Sequence, residues 1–179
     1  MQIGLPEQVG RHVFTGAFKP DAYRRLVESV TEPFVYVEAM APRAQVLALT
    51  PAGWTPRDSH WLMTTPLKAE AAPPLPAGYR LRLIETDGLC RAEIDAPDGA
   101  LAASGNCGLG GAYGTFDKIV TDEVHRRRGL GSVIMQALTT AALARGATDG
   151  ILIATPDGQA LYRALGWSDV GEVVSVISG

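Results

Sequence analysis

The sequence predicts an α+β fold: a mixed, mostly antiparallel sheet with helices packed on it, preceded by a smaller α/β elaboration. Three observations predict it. Residues 79–122 break into four alternating runs separated by reversal signals, the pattern of an antiparallel meander. Residues 129–177 then switch to helix, apolar strand, helix and strand. Between the amino-terminal residues and this block lies "AEAAPPLPAG", residues 69–78, rich in alanine and proline and without periodicity, which reads as a linker. The expected organisation is an elaboration over 1–68, the linker over 69–78 and a core over 79–179.

In the elaboration, "DAYRRLVESV" sets Tyr23, Leu26, Val27 and Val30 at helical spacing behind Asp21, the expected N-cap. "RHVFTGAF", "FVYVEAM", "AQVLALT" and "HWLMTTPL" are β-branched, aromatic or alternating runs bounded by Pro and Gly, and read as short strands. His12, His60 and Trp61 sit among apolar neighbours and read as structural. In the core, "YRLRLIE", "LCRAEIDA", "ALAASGNCG" and "AYGTFDKIVTD" are the meander strands, with "TDG", "PDG" and "GLGG" as the reversals. "GLGGAYG" does not meet the GxGxxG spacing and joins strand to strand, so it is a hairpin rather than a dinucleotide loop.

Leu130, Val133, Ile134, Ala137, Leu138 and Ala141 form one apolar helical stripe that ends in "ARG", a cation and a glycine suited to the C′ position. "GILIAT" is a fully apolar strand. "DGQALYRALGW" is a short helix opened by Asp157 and stopped by Gly166, and "DVGEVVSVI" is the last strand.

Composition bounds the function classes. At 179 residues, 46% hydrophobic and 20% charged, the chain has material for one well-buried core. Its net charge of −3 gives no overall field that draws nucleic acid or an anionic membrane, so neither is an expected partner. No apolar run is long enough to span a bilayer, and "MQIGLPEQVGRH" lacks a charged start followed by an apolar stretch. A cytoplasmic location is expected. Cys90 and Cys107 have neither CxxC spacing nor a histidine cluster and read as buried thiols, with no metal site.

Against that acidic background, "HRRRGLGSVIM" concentrates cations where a strand runs through a glycine-rich turn into an amphipathic helix. The first turn of a helix leaves N–H groups without partners at the positive end of the dipole, which favours an anion. Gly129 and Gly131 let a phosphate approach the main chain, and Arg126, Arg127 and Arg128 add charge around the rim. The spacing is not GxxxxGK[ST], so a diphosphate without metal is expected rather than a magnesium–nucleotide complex.

Arg126-x-x-Gly129-x-Gly131, preceded by "FDKIVTD" and followed by "GILIAT" and "ALYRALGW", resembles the acetyl-coenzyme A signature of the GCN5-related N-acetyltransferases, over roughly residues 79–177. The resemblance implies a twisted sheet with helices on both faces and a splayed central pair of parallel strands, here 113–121 and 150–155. It implies that main-chain amides from Arg127, Arg128, Gly129, Leu130 and Gly131, with Ser132, bind the pyrophosphate of acetyl-CoA. It further implies that the pantetheine arm lies along Ile119, Val120 and Thr121. No metal is called for.

The reaction it implies is transfer of an acetyl group to the amine of a small molecule or a protein, by direct attack in a ternary complex. An alkyl amine with a pKa of about 10 must lose a proton before it attacks. Asp117 stands where relatives often place a glutamate base, and strict alternation sets Asp117, Ile119 and Thr121 on one face. The other reading of Asp117 is a surface ion pair with Lys118 or an arginine; Glu85 and Glu93 are weaker alternatives. The main-chain N–H of Val120 is the expected donor to the carbonyl oxygen. Tyr162 occupies the family's tyrosine position and is expected to protonate the departing thiolate; the alternative is a core tyrosine packed on Leu165 and Trp167.

Three local departures from the family pattern stand out: Glu123 in place of proline, Trp167 in place of phenylalanine, and "TPDGQA" without an asparagine, which shifts expected coenzyme contacts to Asp157 or Gln159. Relatives usually insert two helices between their first and second strands, whereas "LRLIETDGLCRAEI" leaves room only for a tight turn. Residues 11–68 are therefore expected to supply the acceptor wall, either as a degenerate second half or by exchange within a homodimer. A catalytically weak acyl-CoA-binding regulatory module is the alternative to an enzyme.

Overall fold

The computed structural model describes residues 9–14, 16–71 and 73–179. The reading of the opening residues, Thr15 of the "RHVFTGAF" run and Ala72 of the linker lie outside the described residues. Among the described residues ten strands and four α-helices are formed, in two compact units. One takes the residues up to Met63 together with Ile153–Gly179; the other is Thr64–Leu152. Two strands, β4 (His60–Pro66) and β9 (Asp149–Ala154), pass from one unit into the other. The residues expected as an amino-terminal elaboration thus share a core with the last strand, and the linker at 69–78 does not mark a unit boundary.

In the first unit, β1 (Gly10–Phe14) runs parallel to β2 (Val35–Met40), and β2 pairs antiparallel with β10 (Ser168–Ser178). β2 alternates buried and half-buried along its whole length, so Val35, Val37 and Ala39 point to one side. There Val37 and Ala39 meet Tyr23 and Val27 of α1 (Pro20–Ser29), Val46 of α2 (Arg43–Ala48), and Val174 and Val176. Burying each such valine contributes about 1.5–3 kcal/mol. Tyr23 keeps its hydroxyl satisfied at Thr50 Oγ1, 2.7 Å away, while Thr50 donates to the Val46 carbonyl at 2.8 Å.

Two sequence expectations in this unit need correction, and one element is new. "AQVLALT" is not a strand: Arg43–Ala48 is helical, with Pro42 at ψ 128° holding the cap position just outside it, and so short a helix suffices to bury Val46. Lys19, not Asp21, is the N-cap of α1, because Pro20 takes the first helical position and leaves Asp21 in the first turn. A three-residue strand, β3 (Trp54–Pro56), pairs with β10 and was not expected at all.

The second unit holds the meander. β5 (Arg80–Thr86), β6 (Leu89–Asp95), β7 (Leu101–Gly110) and β8 (Tyr113–Thr121) pair antiparallel in that order. α3 (Leu130–Ala144) lays its apolar stripe on one face. Gly105 permits the approach: a Cβ there would stand 2.5 Å from Ile119 Cδ1 and 2.6 Å from Ile134 Cγ2. The helix closes as expected, with Arg145 at the C-cap and Gly146 left-handed at φ 87°. Cys90 and Cys107 are buried free thiols opposite each other in β6 and β7, and burial pushes the Cys107 thiol up to about 12.

β8 also pairs parallel with β9, from Tyr113↔Asp149 to Phe116↔Leu152, and the pairing stops there although β8 runs on to Thr121. The second half of β8 therefore presents unpaired main chain on that side. This opening of a parallel pair inside a mostly antiparallel arrangement is the fold class the sequence predicts. Among the described residues no helix is long and apolar enough to cross a membrane, and no group of three or more His, Cys, Asp or Glu is placed to hold a metal ion.

Candidate active site

The chain leaves β8 through Asp122, whose side chain accepts from Val124 N at 3.1 Å and starts a 3-10 turn over Glu123–His125. Arg127 then takes a left-handed φ of 60°, a conformation costing about 1–2 kcal/mol for a residue with a Cβ. Gly129 repeats it at φ 77°, without that penalty, as the N-cap of α3. Its carbonyl receives Val133 N at 3.2 Å. Leu130, fully buried, anchors the turn in the core.

Between Arg126 N, which donates to Glu123, and Val133 N, the amides of Arg127, Arg128, Gly129, Leu130, Gly131 and Ser132 have no protein acceptor among the described residues. No acidic side chain stands in the first turn of α3. A run of free N–H groups at a helix start with no internal carboxylate is a site for an anion, and its width suits a diphosphate. A Cβ on Gly131 would meet only Thr121 Oγ1, at 3.8 Å.

The four cations divide their work. Arg126 donates from Nε to the Thr121 carbonyl at 3.4 Å and stands 3.8 Å from Glu123, both side chains exposed, an arrangement of little energetic weight. Arg128 donates to the Tyr79 hydroxyl at 3.0 Å and to the Val124 carbonyl at 3.4 Å. His125 Nδ1 lies 2.8 Å from the same hydroxyl. Arg127 alone of the four is without a side-chain hydrogen bond or ion pair among the described residues.

Alternation does not survive along β8. Asn106 faces Asp117 and Ser104 faces Val120, so two residues, Lys118 and Ile119, stand opposite Gly105 alone. Lys118, at φ 52°, is the bulge. The added residue reverses the facing of everything after it. Ile119 and Thr121 turn toward α3, where Ile119 packs at Gly105, whereas Asp117 stays on the opposite face beside Asn106. The expectation that Asp117, Ile119 and Thr121 share a face is overturned; Val120, 56% exposed, shares the Asp117 face instead.

On that face Asp117 is the carboxylate left over. Glu93 is taken by Arg82 at 3.0 Å and Arg91 at 2.7 Å, and Asp95 by Arg82 at 2.7 Å. Glu85, across the sheet, pairs with Arg145 at 2.6 Å. Asp117 has neither ion pair nor side-chain hydrogen bond among the described residues, so the surface-pair reading is not met.

Tyr162 and Asp157 belong to the other unit, on α4 (Pro156–Ala164). The helix is capped two residues before Asp157, the residue expected to open it: Thr155 Oγ1 accepts from Gly158 N at 3.2 Å, and Pro156 follows. Tyr162 is buried, its ring centroid 6.0 Å from that of Trp167 and its edge over Gly158, where an added Cβ would stand 3.2 Å from Cε2. Gln159 is committed elsewhere, donating to Asp169 at 3.0 Å; Arg163 also binds that carboxylate, from Nε at 2.9 Å. These two partners, Arg163 foremost, hold the Asp169 carboxyl below its ordinary range. Asp157 is exposed in the first turn.

Thus the structure brings the expected coenzyme residues Ile119 through Ser132 together, with Asp117 across the strand from Ile119. The residue that sequence reasoning missed is Tyr79. Its only sequence signal was an aromatic at the head of an otherwise charged and aliphatic edge strand.

The sequence matches the family described as "Acetyltransferase (GNAT) family" over residues 59–167. No curated protein sequence matches the chain significantly. Among solved structures, a GCN5-related N-acetyltransferase from Kribbella flavida is 19% identical with a TM-score of 0.70, covering 97% of this chain and 84% of that one. One from Sphaerobacter thermophilus is 17% identical with a TM-score of 0.64, covering 86% of this chain and 62% of that one. A tandem GNAT protein from the clavulanic acid biosynthesis pathway is also 17% identical with a TM-score of 0.64, covering 87% of this chain and 66% of that one. The latter two are thus substantially longer than this chain. At such identities the likeness is one of fold; with the family match over more than half its length, it makes the chain a member of the GNAT acetyltransferase family.

Proposed function

We propose that the protein transfers an acetyl group from acetyl-CoA to the amine of a small molecule or a protein, by direct attack within a ternary complex. The observation that carries this reading is the run of unpartnered amides from Arg127 to Ser132, with Arg127 beside it and no carboxylate within it. These residues fit the diphosphate of the coenzyme, and the unpaired second half of β8, Ile119 to Thr121, fits an extended amide-bearing arm that pairs as a strand would. Acetyl-CoA, when bound, supplies the acetyl group as a thioester.

The chain's own residues supply the rest. Asp117, the unneutralised carboxylate of its sheet face, attracts a cationic amine and takes its proton directly or through water. The Val120 main-chain N–H is the donor toward the carbonyl oxygen. Tyr162 returns a proton to the leaving sulfur, a thiol whose pKa is about 8.5 and which a phenol can protonate.

The competing reading is an acyl-CoA-binding module with little turnover. It draws on one observation: Thr86 and Leu89 pair directly, so Asp87 and Gly88 alone connect β5 to β6, where relatives carry two helices that shape the acceptor pocket. Titration calorimetry with acetyl-CoA, followed by free-thiol release against a panel of primary amines, decides. Binding with amine-dependent release supports the enzyme. Binding without release supports the module, and absence of binding removes both.

A further inference from the structure

Tyr79 lies outside every residue assigned above, yet its hydroxyl is the meeting point of two of the four cations of the coenzyme loop. Tyr79 is 9% exposed, its ring packed edge-on against the His125 imidazole with centroids 5.7 Å apart. Arg128, which can only donate, occupies one lone pair of the phenolic oxygen at 3.0 Å. The phenolic hydrogen then has one acceptor within reach among the described residues, His125 Nδ1 at 2.8 Å. A buried hydroxyl hydrogen left unmade is costly, so Nδ1 accepts and the imidazole carries its proton on Nε2.

The loop between these anchors holds the left-handed Arg127, a strained residue that persists where its surroundings fix it. His125 precedes it by two residues and Arg128 follows it directly. With both tied to a side chain at the head of β5, the turn has its shape before any ligand arrives.

We propose that Tyr79 is the positioning residue of the coenzyme loop: its hydroxyl withdraws Arg128 and His125 from ligand contact, fixes the turn that frees the amides, and leaves Arg127 as the cation that meets the ligand's phosphates. This rests on the coenzyme reading for the identity of the ligand, but not for the state of the clasp in the free protein.

Two measurements test it. Long-range nitrogen–proton correlation spectra of the free protein, with His125 assigned by loss of its signals in His125→Ala, should show the Nε2–H tautomer with Nδ1 as acceptor. In Tyr79→Phe that signature should relax to a mixture. A protonated Nδ1 in the wild type, or an unchanged spectrum in Tyr79→Phe, overturns the clasp whatever the protein binds.

The second is calorimetric titration of coenzyme A at low and high salt. Tyr79→Phe should weaken binding about tenfold without flattening the salt dependence, because it loses positioning and no charge and releases Arg128. Arg127→Ala should weaken binding by a similar factor and flatten the salt dependence, having lost an exposed charge contact. If Arg128→Ala flattens it and Arg127→Ala does not, the division of labour is overturned. A wild-type protein that binds no coenzyme A sinks the coenzyme reading, and the spectra still judge the clasp.

Discussion

The starts of α3 and α4 solve the same problem in opposite ways. Both helices leave N–H groups without intrahelical partners. At α4 the chain answers from within: Thr155 accepts from Gly158 N, Pro156 removes one donor, and Asp157 puts a negative charge on the positive end of the dipole. At α3 the cap is a left-handed glycine with no side chain, no acid stands in the first turn, and the amides from Arg127 onward are open. A helix that forgoes about 1 kcal/mol of capping at its buried, best-packed element keeps those donors for something else. Under the proposed function, the contrast separates a helix whose start binds the coenzyme from one that holds a side chain, Tyr162, in place.

That contrast yields four predictions, the largest effect first. Tyr162→Phe should lower kcat about 100-fold or more, the usual weight of a positioned proton donor, with the KM for acetyl-CoA held within about twofold. Steady-state kinetics with a thiol-detecting reagent checks it, and a fully active variant would return Tyr162 to the role of a core aromatic beside Trp167.

Ser132→Asp gives α3 the acid that α4 already has. It should stabilise the helix by about 0.3–1 kcal/mol and at the same time weaken acetyl-CoA binding about tenfold or more. Thermal melts and calorimetry on one preparation read both. If affinity and stability rise together, the anion does not sit at this helix start.

Thr155→Ala removes the α4 cap and should cost about 1 kcal/mol of stability by denaturant unfolding, with acetyl-CoA affinity unchanged. A loss of affinity matching that at α3 would erase the distinction between the two ends.

The smallest effect is acid-dependent. Arg163 and Gln159 hold the Asp169 carboxyl below its ordinary value, so this group's contribution is present at neutral pH. It is lost as pH falls from about 3.9, the ordinary aspartate value, toward the lower folded value. The difference in melting temperature between wild type and Asp169→Asn should be full at pH 7 and shrink steadily as pH falls below about 3.9; a difference of unchanged size on that descent would assign the effect to packing instead.

What the sequence made legible follows from what is local. The apolar stripe of α3, the left-handed Gly146 that ends it, the reversals of the meander and the glycine pattern at 129–131 are short-range signals, and each appears where it is expected. "AQVLALT" misled because a six-residue helix and a strand can both bury Val46, and nothing within so short a run arbitrates. β3 was invisible because three residues ending in Pro56 carry no pattern.

The face of Asp117 misled for a different reason. Lys118 gives no sign that it will adopt φ 52°, and one added residue reverses the facing of the strand beyond it. Tyr79, His125 and Arg128 meet only through the folding of β5 beside the loop, across 46 and 49 residues of chain, so no spacing rule reaches them.

The most direct test of the account is a nitrogen–proton amide correlation spectrum of the free protein, followed through a titration with coenzyme A. The account predicts saturable shifts led by Gly129, Gly131 and Ser132, as hydrogen bonds to phosphate oxygens replace those to water, while the amides at the start of α4 stay still. Saturation with those three resonances unmoved would show that the open end of α3 is not where the coenzyme binds.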